Sequence, residues 1–364
     1  MIRQLIATFT GAFTAVALNL YSGTAVAAAE YKIVTAHEKG TYFSIGVDLA
    51  RFVAADADIK LEVLATAGSA ANIKHVRYDP GVKLAVVQAD VYQAFLDRAA
   101  AGNSEAGTFI RPLRVILPLF KTEIHYIVRA DSPFNYVHDI RNAKINGGVA
   151  GSGAALITHI LYRMMFGGPI PEANASRLSN EEALVKLVND KSVDVVVVAD
   201  GQPAPLIANM KPEAQKYIKL LKFDPNHPSS KLPLTVYSQS VVNASSYPNL
   251  LQESFTTISV GTFLVTYDFN LEDTISHLSK FGRSLCQNFS ILQAQGHPKW
   301  KEVSLSLPKL GPGWIYYAPT TREIRSCLAK PATTRPKGST VPTGPTKPAA
   351  KPCSAEEKIL GFCN

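Results

Sequence analysis

Hydrophobic residues follow two alternating patterns along the chain. Short apolar runs, typical of strands, alternate with longer stretches in which apolar residues recur every three or four positions, as on one face of a helix. This order predicts strands at Tyr31–Thr35, Lys60–Thr66, Val82–Gln88 and Leu113–Phe120, with helices at Ser44–Ala55, Ala70–Tyr78 and Val91–Ala99 between them. A β-α-β order of this kind predicts a parallel sheet with helices on both faces.

A second series of the same kind follows. It predicts strands near Lys144–Ala150, Val193–Ala199 and Ile218–Phe223, and helices near Ala154–Phe166 and Glu181–Asn189. Residues 193–198 are almost all valine, which indicates a strand buried on both faces. Two such series in a chain of 364 residues predict two lobes.

Two extended segments, Glu123–Ala130 and Leu234–Ser238, are candidate crossings between the lobes. The strand predicted at Thr256–Thr266 and the helix at Leu271–Gln293 would then complete the first lobe. The predicted division is a first lobe of residues 30–125 plus 239–330 and a second lobe of residues 126–238. Residues 331–352 contain six prolines and read as an extended linker, followed by a tail at 353–364.

The first 29 residues differ from the rest of the chain. Arg3 precedes an apolar run, and three alanines end the segment, which is the pattern of a secretory signal peptide. A membrane anchor is the alternative, but the run is short for a span of about 30 Å of hydrocarbon. The sequence therefore predicts export to the periplasm or another extracytoplasmic space.

Charge and cysteine content refine this interpretation. The tail at 330–364 accounts for +4 of the formal net charge of +8 and Arg3 for one more, so the body keeps only +3 and no nucleic-acid groove is indicated. Four cysteines in an exported chain predict two disulfides, of which Cys286–Cys327 and Cys353–Cys363 are the simplest pairing among three. No zinc-type spacing supports a metal site.

Polar loops follow three of the predicted strands in the first lobe. His37–Phe43 and Thr66–Asn72 each open a helix, and Gln88 ends a strand. Such loops share the carboxyl edge of a parallel sheet, where open α/β folds bind ligands. Turn formation, helix capping and core packing explain the same residues without a ligand.

The sharpest local feature is the glycine-rich turn Gly148–Ala154, between a strand and a long helix. Its glycines allow backbone amides to approach an anion, Ser152 adds a hydroxyl, and the helix dipole favours negative charge there. The spacing is not that of a dinucleotide or Walker motif, so a carboxylate or single phosphate fits better. Close helix packing is the alternative explanation.

The sequence contains few of the residue patterns that indicate a catalytic site. Ser152 does not lie in a nucleophile elbow, and the histidines are scattered without metal-ligand spacing. His37 and Glu38 are adjacent but read as solvated loop residues. The sequence predicts a binding protein with no catalytic residues, no cofactor and no bound metal.

Taken in order, these segments resemble the TAXI family of binding proteins that serve tripartite ATP-independent periplasmic (TRAP) transporters. The matching stretches are G-T-Y-F at 40–43, T-A-G-S-A-A-N at 66–72, Q-A-D at 88–90, G-V-A-G-S-G at 148–153, D-G-Q-P at 200–203 and L-P-L-T-V-Y at 232–237. They extend across about residues 30–320. Two features depart from the family: His37-Glu38-Lys39 replaces glycines, and the proline-rich tail is additional.

The resemblance implies an α/β, two-lobed periplasmic-binding-protein type II fold with a ligand cleft between the lobes. It further implies a monomeric protein that captures glutamate, 2-oxoglutarate or a similar small carboxylate and delivers it to a TRAP-type membrane permease. On that pattern the cleft residues are Gly40, Thr41, Tyr42, Phe43, Ser69, Asn72, Gln88, Gly151, Ser152, Gly153, Gly201 and Tyr237. A ligand-binding component of a sensory system and an exported enzyme on a similar fold are the alternatives.

Overall fold

The computed structural model describes residues 28–311 and 313–329. The strands are β1 (Ala29–Val34), β2 (Ile59–Leu64), β3 (Val82–Gln88), β4 (Leu113–Arg129), β5 (Ile145–Asn146), β6 (Ala175–Ser176), β7 (Val195–Asp200), β8 (Ile218–Leu220), β9 (Ser238–Val242) and β10 (Phe255–Tyr267). The α-helices are α1 (Thr41–Leu49), α2 (Ser69–Tyr78), α3 (Ala89–Ala100), α4 (Ser104–Ile110), α5 (Gly153–Phe166), α6 (Asn180–Val188), α7 (Pro205–Ala208), α8 (Pro212–Gln215), α9 (Glu272–Gln287), α10 (Phe289–Gln295) and α11 (Ala318–Leu328).

The predicted strands and helices are present in both series, with small shifts at their ends. β4 continues to Arg129, beyond its predicted end at Phe120, and β5 ends at Asn146, whereas the sequence predicted a strand continuing to Ala150. Gly148 has φ +96°, which no strand tolerates, so the chain turns there toward α5. The sequence did not predict α4 or α11.

One mixed sheet runs through the molecule in the order β2-β1-β3-β10-β4-β7-β5-β6. We call the β2-β1-β3 side the first lobe and the β7-β5-β6 side the second lobe. β4, with 17 residues, and the antiparallel β10, with 13, belong to both. The returning strand lies between β3 and β4, which is the arrangement of a type II periplasmic-binding-protein fold, and the predicted fold class is confirmed.

Each lobe has a core on both faces of its sheet. In β7, Val195 and Val197 pack with Tyr126 and Leu161 on one face, while Val196 and Val198 pack with residues of α6 on the other. Successive side chains of a strand point to opposite faces, so this strand must be apolar at every position. The valine run is therefore a doubly buried strand, as predicted.

The return to the first lobe is made by β10. Leu234–Ser238, the predicted crossing, instead contains a 3₁₀ turn at Pro233–Thr235 and the start of β9, which pairs with β10. Val242 and Tyr247, after the predicted crossing, are buried in a core of the second lobe. We propose that the lobes divide near Glu123 and Ser259, which pair with each other in β4 and β10.

The predicted Cys286–Cys327 disulfide is confirmed, and it joins α9 to α11. The other predicted pair, Cys353–Cys363, lies outside the described residues, as do the linker and tail. The signal segment also lies outside them apart from its last two residues, and β1 begins at the last of these, Ala29. None of the helices in the described part of the chain has the length and apolar character needed to cross a membrane.

Candidate functional site

A cavity of about 130 Å³ lies between the two lobes. The first lobe lines it with parts of residues 36–42 and 66–69 and with Gln88; the second lobe contributes parts of residues 148–154, 179–181 and 198–206. These segments follow β1, β2, β3, β5, β6 and β7 at their carboxyl ends, where open α/β sheets bind ligands. The loops singled out in the sequence therefore do meet at one place.

The start of α5 forms one wall of the cavity. Ser152 caps this helix, because its Oγ accepts a hydrogen bond from the N–H of Ala155 at 3.0 Å. Gly153 and Ala154 also line the cavity, and N–H groups in a first helical turn have no acceptor within the helix. This wall therefore presents amide donors and the positive end of a helix dipole.

Gln88 reaches this wall from the opposite lobe. Its backbone N–H donates to Ser69 Oγ at 3.2 Å, and the residue is only 1% exposed. Gln88 Oε1 has no hydrogen-bond partner among the described residues. A Cβ added to Gly153 would lie 1.9 Å from Gln88 Oε1, so the glycine makes room for this amide.

The start of α1 is capped by a carboxylate from the other lobe. Thr41 N–H donates to Asp200 Oδ1 at 2.9 Å and Oδ2 at 3.2 Å, and Gly201 N–H donates to Asp200 Oδ1 at 2.9 Å. Thr41 Oγ1 also donates to the carbonyl of Gly201 at 3.0 Å. Burial raises the pKa of Asp200 to about 6, although the hydrogen bonds from Thr41 oppose the shift.

Charged residues meet at the edge of the cavity. Glu181, near the start of α6, faces His37 and Lys39 of the first lobe, with 3.5 Å from Glu181 Oε1 to His37 Nε2 and 3.6 Å to Lys39 Nζ. Glu181 is 8% exposed, and its Oε1 accepts no hydrogen bond within the described chain. The loop that departs from the TAXI pattern therefore contacts an acidic residue of the second lobe.

Half of the predicted cleft residues line this cavity and half do not. Those that line it are Gly40, Tyr42, Ser69, Gln88, Ser152 and Gly153. Those that lie outside its lining are Thr41, Phe43, Asn72, Gly151, Gly201 and Tyr237. Ligand contact by any of the twelve stays a prediction.

Several of the predicted residues hold the site together. Asn72 Nδ2 donates to the carbonyl of Val86 at 2.8 Å, and the carbonyl of Gly151 accepts from the N–H of Ala71 at 3.1 Å across the lobes. Tyr237 OH donates to Asp90 Oδ2 at 3.3 Å, also across the lobes. Burial raises the pKa of Asp90 to about 7.

Tyr42 lines the cavity, but its hydroxyl group hydrogen-bonds to the strands that the two lobes share. The OH group lies 2.8 Å from Thr122 Oγ1 and 3.2 Å from Thr262 Oγ1, in the strands shared by the lobes. Burial raises the pKa of Tyr42, so the phenol stays neutral. The residue lines the cavity, whereas its hydroxyl links α1 to β4 and β10 by hydrogen bonds.

The sequence did not single out Glu181 or Asn180 as cleft residues. A usable signal was present, because Ser179 and Glu182 have the spacing of a capping box, and Ser179 Oγ accepts from the N–H of Glu182 at 3.2 Å. That signal places a helix start at the end of a short strand, and therefore at the same sheet edge as the other loops. Asp200 belonged to the matching stretch D-G-Q-P at 200–203, but only Gly201 of that stretch was predicted as a cleft residue.

Gly68 permits the close approach of the two lobes, and Gly68→Ala is expected to destabilise the protein by about 1–3 kcal/mol. Its φ of 125° and ψ of −159° are essentially restricted to glycine. A Cβ there would also lie 3.3 Å from Ser152 Cα. Urea unfolding measures the loss, and Gly168→Ala, where nothing lies within 4 Å, is the control. Equal stability of the two variants would contradict this account.

No group of three or more potential metal ligands occurs in residues 28–311 and 313–329. The chemistry offered by the cavity is hydrogen bonding and electrostatic attraction: amide donors at α5, carbonyl and carboxylate acceptors at Gln88, Glu181 and Asp200, an imidazole at His37 and an ammonium group at Lys39. This is an arrangement suited to holding a small polar solute.

The chain matches the NMT1-like family over residues 33–306. It is similar to a Xanthomonas citri protein solved with ATP, at 11% identity over 83% of this chain and 96% of that one, with a TM-score of 0.42. It is also similar to an arginine-, lysine- and histidine-binding protein from Geobacillus stearothermophilus, at 12% identity, 72% and 94% coverage and a TM-score of 0.42. A ligand-binding component of an ABC-type import system from Staphylococcus aureus matches at 10% identity, 82% and 90% coverage and a TM-score of 0.39.

The family match covers both lobes and every loop that lines the cavity. It supports the predicted recognition at the level of a binding-protein family, whereas the narrower TAXI assignment stays a prediction. The chain belongs to the NMT1-like family.

Proposed function

We propose that this protein captures a small solute with a carboxylate group outside the cytoplasmic membrane and delivers it to a TRAP-type permease. The observation that carries the proposal is the cavity wall at α5. There Gly153 and Ala154, in the first turn of α5, line the cavity together with Gln88 of the opposite lobe. A hydrogen bond to a charged group contributes about 1.5–3 kcal/mol, and exclusion of water by the closed lobes strengthens it.

Binding rather than catalysis is the function that this geometry favours. The cavity has hydrogen-bond donors and acceptors, but Ser152, which lines it at the start of α5, uses its Oγ as a helix cap. A nucleophilic serine requires a base within hydrogen-bond reach, and among the described residues Ser152 Oγ is hydrogen-bonded to the backbone N–H of Ala155 rather than to such a base. The extracytoplasmic location is supported by the signal-type segment of the sequence and by the disulfide between α9 and α11.

Substitution of Ser152 tests the anion site. Ser152→Asp preserves the capping oxygen but places a negative charge where the solute carboxylate is expected, and we expect affinity to fall by at least about ten-fold, or 1.4 kcal/mol. Ser152→Asn is the matched control, because asparagine caps equally well without the charge. Calorimetry with 2-oxoglutarate, glutamate, lactate, their amides and glucose measures both variants.

Two results would contradict the proposal. One is tightest binding of glucose or of a fully amidated, uncharged compound by the unmodified protein. The other is equal affinity of Ser152→Asp and Ser152→Asn for every carboxylate that binds. Mass spectrometry of solute released from the purified protein identifies the natural ligand independently.

A further inference from the structure

Two helices, α1 with 9 residues and α5 with 14, begin at the cavity, one in each lobe. Each favours an anion by its dipole and its amides. The two are not equivalent, because α1 already has a carboxylate. Asp200 lies 2.9 Å from the N–H of Thr41, and it also lines the cavity.

Asp200 is fixed in this position by its own lobe as well. Gly201 N–H donates to Asp200 Oδ1 at 2.9 Å, and Asp200 is only 8% exposed. A Cβ added to Gly40 would lie 3.5 Å from Asp200 Oδ2, an ordinary van der Waals contact. The carboxylate therefore already accepts from the backbone N–H of Thr41, the donor at the start of α1 that an acid group of a solute would otherwise use.

The remaining acceptors of the cavity also disfavour a second acid group. Gln88 Oε1 and Glu181 Oε1 belong to side chains that are 1% and 8% exposed, and neither oxygen has a hydrogen-bond partner among the described residues. A buried acceptor without a hydrogen-bond partner is costly, so both oxygens favour a solute that brings a donor. Lys39 Nζ lies 3.6 Å and His37 Nε2 3.5 Å from Glu181 Oε1, and neither hydrogen-bonds this oxygen.

We propose that Asp200 acts as an internal substitute for a solute carboxylate at the start of α1, and that the cavity consequently selects solutes with one acid group and hydrogen-bond donors over dicarboxylates. This inference rests on the proposed function, in which α5 receives the single acid group. Asp200 and Glu181 are then specificity residues: one fills the second anion position, and the other repels an acid group placed near it.

Matched pairs of solutes test the selectivity. Succinate and succinamate differ only in replacement of one carboxylate by an amide, as do glutamate and glutamine. We expect the unmodified protein to bind the monoamide of the better-bound pair at least about ten-fold more tightly than the diacid. Asp200→Asn keeps an acceptor for Thr41 but removes the charge, and is expected to shift this ratio at least about ten-fold toward the diacid.

Two further variants complete the experiment. Glu181→Gln is expected to shift the ratio in the same direction, and it provides the test if Asp200→Asn does not fold. Asp190→Asn, the same substitution at an exposed site of the second lobe, is expected to leave the ratio unchanged. Calorimetry measures the ratios, and thermal unfolding confirms that each variant is folded.

The outcomes separate this inference from the function on which it rests. A diacid bound as tightly as its monoamide by the unmodified protein overturns the inference but leaves carboxylate capture intact. Unchanged ratios in both Asp200→Asn and Glu181→Gln overturn it as well. Failure of every carboxylate in these pairs and in the wider panel to bind overturns both.

Discussion

Lys299→Met is expected to lower the free energy of unfolding by about 3–5 kcal/mol, because it leaves a buried carboxylate without its cation. Lys299 Nζ lies 2.7 Å from Glu123 Oε1, and the side chains of Lys299 and Glu123 are 0% and 3% exposed. Glu302 also accepts from this ammonium group at 2.8 Å. Burial raises the pKa of Glu123, and Lys299 opposes that shift.

Urea unfolding measures the loss, and Lys301→Met, at an exposed position of the same 3₁₀ turn, is the control. Combining Lys299→Met with Glu123→Gln should restore most of the stability, because the unpaired charge is then removed. Without Lys299 the pKa of folded Glu123 rises further above that of the unfolded chain. The deficit of Lys299→Met should therefore grow as pH rises through the folded pKa of Glu123 in the unmodified protein, which is already raised, and shrink toward acid pH. A deficit equal to that of Lys301→Met would contradict this role.

The position of this ion pair gives it a second consequence. Glu123 pairs with Ser259 at the place where β4 and β10 pass from one lobe to the other, and Glu123 Oε2 accepts from the N–H of Gln202 at 3.1 Å. Lys299 thus fastens the C-terminal part of the first lobe to the crossing strands. Its side chain also packs against Gly201, next to the residue that caps α1.

Replacing both cysteines of the Cys286–Cys327 pair by alanine is expected to destabilise the protein by about 4 kcal/mol, from the closure entropy of a loop whose ends are 41 positions apart. The disulfide joins α11 to α9, and these two helices pack against each other in the first lobe. The measurement is urea unfolding of the oxidised protein.

The tail cysteines provide the matched control for this substitution. Replacing Cys353 and Cys363 by alanine should leave the urea midpoint of the body unchanged, because the sequence predicts that the proline-rich linker separates the tail from both lobes. A loss below about 1 kcal/mol for the Cys286 and Cys327 double variant would contradict the expected loop-closure effect.

The sequence by itself determined the elements and the edge of the sheet where the site lies. The spacing of apolar residues shows whether a strand or helix is buried on one face or on both. The valine run of β7 and the helical patterns of α2 and α5 could therefore be predicted from the sequence. Parallel strands share one carboxyl edge, so loops at Gly40, Ser69 and Ser152 were expected to converge, and they do.

Only the tertiary structure decided which residues meet across the lobes. Thr41 and its partner Asp200 are 159 positions apart, and Glu123 and Lys299 are 176 apart. No local pattern marks such pairs, because capping and ion pairing require only a polar atom at the right distance, whichever part of the chain supplies it. The same reason explains why the sequence did not single out Asp200 as a cleft residue, although it lies in the matching stretch at 200–203.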